Sequence, residues 1–206
     1  MDQWDFTPPT SSAMGDHDVP LDGEELTNCR IGLMISGSIA AFTTPYLARA
    51  LRRRGARVQA FCSGEALRYV TEESLEWATT NPVITSLGAD AEHLSDAAPF
   101  DLYLVAPATY NTIGKMARGI ADTVLTAALA SAIGRMERGE AAVLVAPTMH
   151  GTMHTSMFVE NCRMLDSAGV RIIPPRDDYG KHNLPREEVL VGEVIAALVG
   201  RSAKSR

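Results

Sequence analysis

Apolar residues fall into short unbroken runs separated by amphipathic stretches, and the alternation is regular from residue 29 onward. Residues 29–35 (CRIGLMI), 58–62, the run opening at Leu102 (LYLVA), 141–146 (AAVLVA) and 170–173 carry no polar alternation and are too short for buried helices. That is the mark of strands covered on both faces of a parallel sheet. Residues 83–87 read as a weaker strand. The helical period predicts helices over 39–54, 64–70, 73–78, 157–168 and 188–200, with Gly55 and Gly169 closing two of them. Residues 113–132 read as one long helix interrupted near Gly119 and Asp122, 134–140 as a charged turn, and 174–185 as a long polar loop. Strands alternating with helices predict a single α/β domain over residues 29–200, its right-handed parallel sheet covered by helices on both faces. Residues 1–28, rich in Pro, Asp, Ser and Gly, are expected to be a disordered tail or an arm laid on a neighbouring subunit, with Trp4 and Phe6 favouring the arm. Residues 201–206 are expected to be disordered.

Polar, turn-prone loops follow these strands, and in an open α/β sheet such loops meet along the C-terminal edge, where ligands bind. Ser36-Gly37-Ser38 breaks the first strand before a helix. The free N–H groups at that helix start, with Gly37 for close approach and Ser38 as a hydroxyl donor, suit a phosphate monoester; the alternative is an ordinary strand-to-helix turn. The G-x-G-x-x-G spacing of dinucleotide sites is absent. Ser63 follows the second strand and either caps the next helix or serves a ligand. The stretch 102–112 (LYLVAPATYNT) delivers Ala108, Thr109 and Asn111, and the loop 147–154 delivers Met149, His150 and His154. His93 lies just before the central strand and is the natural proton carrier, because imidazole titrates near neutrality. Asn111 offers donors and an acceptor to a carboxylate or amide. Asp122 is expected to cap a second helix from Thr123, or to touch a ligand or a subunit neighbour.

The 206 residues suffice for one such domain, and the formal charge of −6 gives no reason to expect nucleic acid as a partner. No apolar run reaches the length of a membrane span, so no membrane partner is expected. Three widely spaced cysteines suggest neither a disulfide framework nor a metal site and fit a reducing cytoplasm. There is no nucleophile elbow and no Ser-His-Asp order, and the His150/His154 pair lacks an acidic partner within its loop.

Several motifs in order carry a resemblance: SGSIAA at 36–41, His93 upstream of Asp101, PATYNT followed by GIADTVLT, and PTMHGTMH at 147–154. Together they resemble the flavin-containing cysteine decarboxylases, which include phosphopantothenoylcysteine decarboxylase and the enzymes acting on the C-terminal cysteine of lanthipeptide precursors. The resemblance implies a Rossmann-like, flavodoxin-like fold and a homotrimer, or a dodecamer of trimers, binding FMN between subunits. It implies FMN contacts from Gly37, Ser38, Ile39, Ser63, Ala108 and Thr109, catalytic roles for His93 and Asn111, and substrate contacts from Asn111, Met149 and His150. The implied reaction oxidises the Cβ–S unit of the cysteine to a thioaldehyde, after which carbon dioxide leaves and an enethiol remains.

Two departures shape the expected substrate. The family's loop commonly reads P-x-M-N-x-x-M-W, whereas His150 and His154 stand at its asparagine and its large aromatic. The loop 174–185, which resembles the family's substrate clamp, has no cysteine to reduce an enethiol further, and the chain ends near residue 206 without a synthetase domain. The missing clamp cysteine and the missing synthetase domain point to a C-terminal-cysteine peptide as substrate, with phosphopantothenoylcysteine as the alternative and a non-catalytic flavin-binding regulatory subunit as a third reading.

Overall fold

The computed structural model describes residues 5–88 and 98–204. Its strands are β1 (Arg30–Ile35), β2 (Arg57–Cys62), β3 (Leu102–Ala108), β4 (Ala142–Pro147), β5 (Met149–His150), β6 (Arg171–Ile172), β7 (Arg176–Asp178) and β8 (Lys181–Asn183). Its α-helices are α1 (Thr44–Arg52), α2 (Glu72–Thr79), α3 (Tyr110–Ala117), α4 (Val124–Glu137), α5 (Ser156–Ser167) and α6 (Glu187–Lys204). A five-stranded parallel sheet runs in the order β2-β1-β3-β4-β6, the flavodoxin-like, Rossmann-type arrangement. The order reverses between β1 and β3, and the crevice at that switch point is where such sheets bind ligands.

Alternation of side chains along the strands divides the core in two. Ile31, Leu33, Leu102, Leu104 and Leu144 face α1, α2 and α6. Met34, Tyr103, Val105, Val143 and Val145 face α3, α4 and α5. Every residue of β3 is buried, which explains its unbroken apolar run.

The structure departs from expectation where local chemistry overrides periodicity. The helix expected over 39–54 opens as a 3-10 segment, Ile39–Thr43, capped by Ser38; α1 then starts beside Pro45, which lacks an N–H and suits a first turn. Residues 64–70 form only a 3-10 turn, Ala66–Arg68, and the strand expected over 83–87 shrinks to one bridge between Ile84 and Phe61. The long helix expected over 113–132 is two helices, because Gly119 takes φ +66° and Thr123 starts α4 through a reciprocal cap with Thr126. Thr123 rather than Asp122 is therefore the cap; α4 then runs through the expected turn to Glu137.

The expected loop 174–185 contains a hairpin. β7 and β8 are joined through Tyr179 and Gly180, both at positive φ as a tight hairpin turn of the primed type requires. β8 also pairs with β5, making a second, three-stranded antiparallel sheet in the order β5-β8-β7. Residues 22–28, part of the stretch expected as tail or arm, lie against α1. Leu26 is fully buried, its N–H donates to the Arg54 carbonyl at 2.9 Å, and the Asp22 N–H donates to that of Arg53 at 2.8 Å.

Candidate active site

A cleft of about 660 Å³ opens at the C-terminal ends of the central strands, a size in the ordinary range for small-molecule sites. One buried hydroxyl organises its floor. Ser36 Oγ, at the end of β1, donates to the Pro107 carbonyl (2.7 Å) and accepts the N–H of Thr109 (2.9 Å), which fixes the β3 loop relative to the β1 loop. The Ala106–Pro107 peptide bond in that loop is cis.

Gly37 follows immediately, and a Cβ there would lie 2.5 Å from Glu65 Cβ, so only glycine permits the loops after β1 and β2 to approach this closely. Ser38 Oγ accepts the Ala40 N–H (3.3 Å) and Ser63 Oγ accepts the Ala66 N–H (3.3 Å). Each hydroxyl keeps its own hydrogen to donate, so both can hold an anion while still capping.

Across the cleft, Thr109 caps α3, and the first N–H groups of that helix lack intrahelical partners by geometry. Asn111 is exposed on this first turn and lines the cleft. Lys115, one turn further along the same face, also lines it; its ammonium is 2.7 Å from Asp122, and this hydrogen bond holds the Asp122 carboxyl below the ordinary carboxylate range. From the loop after β4 come Thr148 and Met149, and Leu125 and Met153 complete an apolar wall. A lining of serine and threonine hydroxyls together with the apolar Leu125, Met149 and Met153 suits a flat ring system that carries a phosphate.

Gly37, Ser38, Ser63, Thr109, Asn111 and Met149 thus share one cleft. Ile39 does not join them: it is 66% exposed beside a separate groove with Phe42 and Tyr46. Ala108 is buried beneath the site, its carbonyl accepting the Thr148 N–H at 2.9 Å. His150 is exposed and does not line the cleft; its Nδ1 accepts the Thr152 N–H (3.2 Å), which places the imidazole hydrogen on Nε2. His93 lies outside the described residues.

Sequence reasoning missed Lys115, although its i, i+4 spacing from Asn111 was a usable signal. It also missed a chain of contacts among residues that do not line the cleft but neighbour Met149 and Met153, which do. His154 Nδ1 is 2.7 Å from His182 Nε2, and His182 Nδ1 is 2.6 Å from Asp177 Oδ1. The cysteines stay protonated: burial pushes the Cys62 thiol up to about 12 and that of Cys162 to about 11, and Cys29 is raised for the same reason. Among the described residues, no helix is long and apolar enough to cross a membrane.

The family model described as Flavoprotein matches residues 21–199. The chain is 38% identical over 187 residues to the coenzyme A biosynthesis bifunctional protein CoaBC of Thermococcus kodakarensis, an alignment covering 88% of this chain and 45% of that protein. It therefore spans less than half the length of that relative. A solved PPC decarboxylase mutant complexed with pantothenoylaminoethenethiol is similar at a TM-score of 0.70 and 25% identity, covering 82% of this chain and 97% of the other. The FMN-dependent cysteine decarboxylase TvaF of thioviridamide biosynthesis is similar at a TM-score of 0.66 and 26% identity, over 85% and 98% of the two chains.

Proposed function

The chain belongs to the flavoprotein family, and from that premise we propose that it is an FMN-dependent decarboxylase of a cysteine-bearing carboxylate. The observation that carries this reading is the single cleft lined by Gly37, Ser38 and Ser63 from the loops after β1 and β2, by Thr109 and Asn111 at the start of α3, and by the apolar Leu125, Met149 and Met153. Bound FMN would supply the two-electron acceptor for the Cβ–S unit of the substrate, and the protein supplies position and charge.

Ser38 and Ser63 hold the phosphate through their free hydroxyl hydrogens, and the close approach allowed by Gly37 sets their separation. Thr109 borders the ring-binding region, and the buried Ala108 supports its floor. Leu125, Met149 and Met153 keep water from the ring. Asn111 holds the departing carboxylate through its amide N–H. His93 is the proton carrier of this reading, and His150, outside the cleft, contacts only parts of a substrate that extend beyond it.

Similarity to the coenzyme A biosynthesis protein CoaBC and to a PPC decarboxylase favours phosphopantothenoylcysteine as substrate. A C-terminal-cysteine peptide is the second reading; it is supported by the cysteine-free stretch 174–185 and by the likeness to TvaF. Ile39, Phe42 and Tyr46 are 66%, 57% and 69% exposed, an apolar patch that supports a homo-oligomer, a trimer or a dodecamer of trimers. The three free thiols fit a reducing cytoplasm.

The test is colour followed by turnover. Purified protein is expected to be yellow, to release FMN on denaturation, and to release carbon dioxide from phosphopantothenoylcysteine or from a peptide ending in cysteine, with mass loss of carbon dioxide and two hydrogens for the oxidative product. A colourless protein that fails to bind added FMN overturns the reading, and a flavoprotein with no turnover on either substrate leaves the non-catalytic reading in its place.

A further inference from the structure

We propose that Asp177, His182 and His154 form a hydrogen-bonded relay whose last nitrogen, Nε2 of His154, binds an anionic group of the substrate, a carboxylate or a phosphate, at the rim of the cleft. The inference rests on the decarboxylase reading for the identity of the substrate, but its geometry stands apart from that reading.

The relay is built by strand register. Asp177 of β7 and Met149 of β5 are both directly opposite His182 of β8, so the three side chains form one row across the small sheet. Met149 is a wall of the cleft, and Met153, the residue before His154, is another. The His182 side chain is only 16% exposed, stacked on Phe158, while Asp177 and His154 are open to solvent.

Donor and acceptor counting sets the chemistry. An ionised carboxylate only accepts, so the Asp177 contact puts a hydrogen on His182 Nδ1. When the histidine pair is neutral, His182 Nε2 is a lone pair and must accept from His154 Nδ1–H. His154 then presents a bare lone pair at Nε2, which repels an anion. One added proton reverses the chain: His182 donates from Nε2 to His154 Nδ1, and His154 carries its hydrogen on Nε2 as a donor. Asp177 stabilises the added charge on His182. Anion binding and proton uptake are therefore linked, and each strengthens the other.

A second, independent feature favours the anion. His154 immediately precedes Thr155, the N-cap of the 12-residue helix α5, whose unpaired N–H groups and dipole give that end a positive potential. Phe158 of α5 packs on both rings, the Tyr110 hydroxyl of α3 is 3.2 Å from Thr155 Oγ1, and His150 is tied to Thr152. Arg176 pairs with Asp178 at 3.2 Å, and Lys181 lies opposite Asp178 in the register next to the Asp177–His182 pair.

The test uses the FMN-loaded protein and reads KM and kcat as pH rises from 6 to 8 with phosphopantothenoylcysteine, pantothenoylcysteine and a peptide ending in cysteine. The parent KM is expected to rise with pH by about tenfold, the worth of one charge-assisted hydrogen bond. His154→Phe should raise KM about tenfold at pH 6 and flatten its profile, with kcat within about threefold. His154→Gln, whose amide donates at every pH, should keep the low-pH KM throughout. Asp177→Asn should weaken binding most at the upper end of the range. A merely structural role would not separate Gln from Phe in this way.

An effect confined to phosphopantothenoylcysteine assigns the anion as its phosphate, and an effect common to all three substrates assigns it as the carboxylate. A His154→Phe protein with the parent's KM and pH profile overturns the relay. If no substrate turns over, the decarboxylase reading fails separately, and inorganic phosphate titrated into 15N-histidine-labelled protein still judges the relay. A shift at His154 Nε2 that is lost in Asp177→Asn supports it, and no shift overturns it.

Discussion

Ser36 Oγ and the backbone N–H of Thr109 are 2.9 Å apart, and the same oxygen donates to the Pro107 carbonyl at 2.7 Å. This buried hydroxyl is the only side-chain tie between the end of β1 and the loop that presents Asn111 among the described residues. Ser36→Ala leaves the Thr109 N–H without its acceptor, a loss of about 1–3 kcal/mol. For a chain of this size that corresponds to a fall of roughly 4–8 °C in Tm at the middle of the range. FMN retention should weaken in the same variant, because Thr109 belongs to the proposed ring contact. An unchanged Tm by calorimetry would show that the tie contributes nothing.

Gly37 and Glu65 bring the loops after β1 and β2 into contact. Gly37→Ala places a methyl group 2.5 Å from Glu65 Cβ and 3.2 Å from its backbone carbonyl carbon. Backbone cannot yield as a side-chain tip can, so the loops must separate and Ser38 must move away from Ser63. Flavin affinity, read by fluorescence quenching during FMN titration, is expected to fall by about tenfold or more, the loss of one phosphate hydrogen bond. Global stability should change less than in Ser36→Ala, because the site lies at the sheet edge.

Asn111→Ala tests the proposed substrate contact. The residue is exposed on the first turn of α3 and has no side-chain hydrogen bond among the described residues, so its removal costs the fold little. The expected outcome is a yellow protein with the parent's Tm whose kcat/KM for decarboxylation falls by about 100-fold, the scale of a lost charge-assisted contact in the transition state. Wild-type turnover in this variant would remove Asn111 from the mechanism.

The fold was legible because its strands are buried on both faces, so 29–35, 102–106 and 141–146 show no polar alternation to confuse their period. The cleft was legible for a related reason: once strand ends are known, topology brings Gly37, Ser63, Thr109 and Asn111 to one edge. What escaped detection depended on contacts distant in sequence. The Asp177–His182 pair exists only because Tyr179 and Gly180 both adopt positive φ, and a tyrosine in that position gives no turn signal. The break between α3 and α4 was visible as Gly119, but the capping hydroxyl is that of Thr123, which bonds Thr126 reciprocally, while Asp122 pairs with Lys115. Ser36, polar at the end of an apolar run, looked like part of a loop; its burial became meaningful only with Pro107 and Thr109 beside it.

The cysteines give a prediction that separates the fold from the chemistry. Burial first, and then the nearby Glu72 carboxylate, push the Cys62 thiol up to about 12, and burial pushes that of Cys162 to about 11, against about 8.5 in an unfolded chain. The unfolded chain therefore loses these protons first. Their contribution to stability is fully present below about pH 8.5 and is lost as pH rises through the folded values. The urea midpoint should decline from about pH 9 upward, and Cys62→Ala should flatten that decline while lowering stability at neutral pH through lost packing. Below that window the thiolate fraction is small, so iodoacetamide should modify the native protein far more slowly than the urea-unfolded chain at pH 8. Because none of the three thiols lines the cleft, decarboxylation should survive that treatment; loss of turnover in step with alkylation of a single cysteine would place a thiol in the mechanism after all.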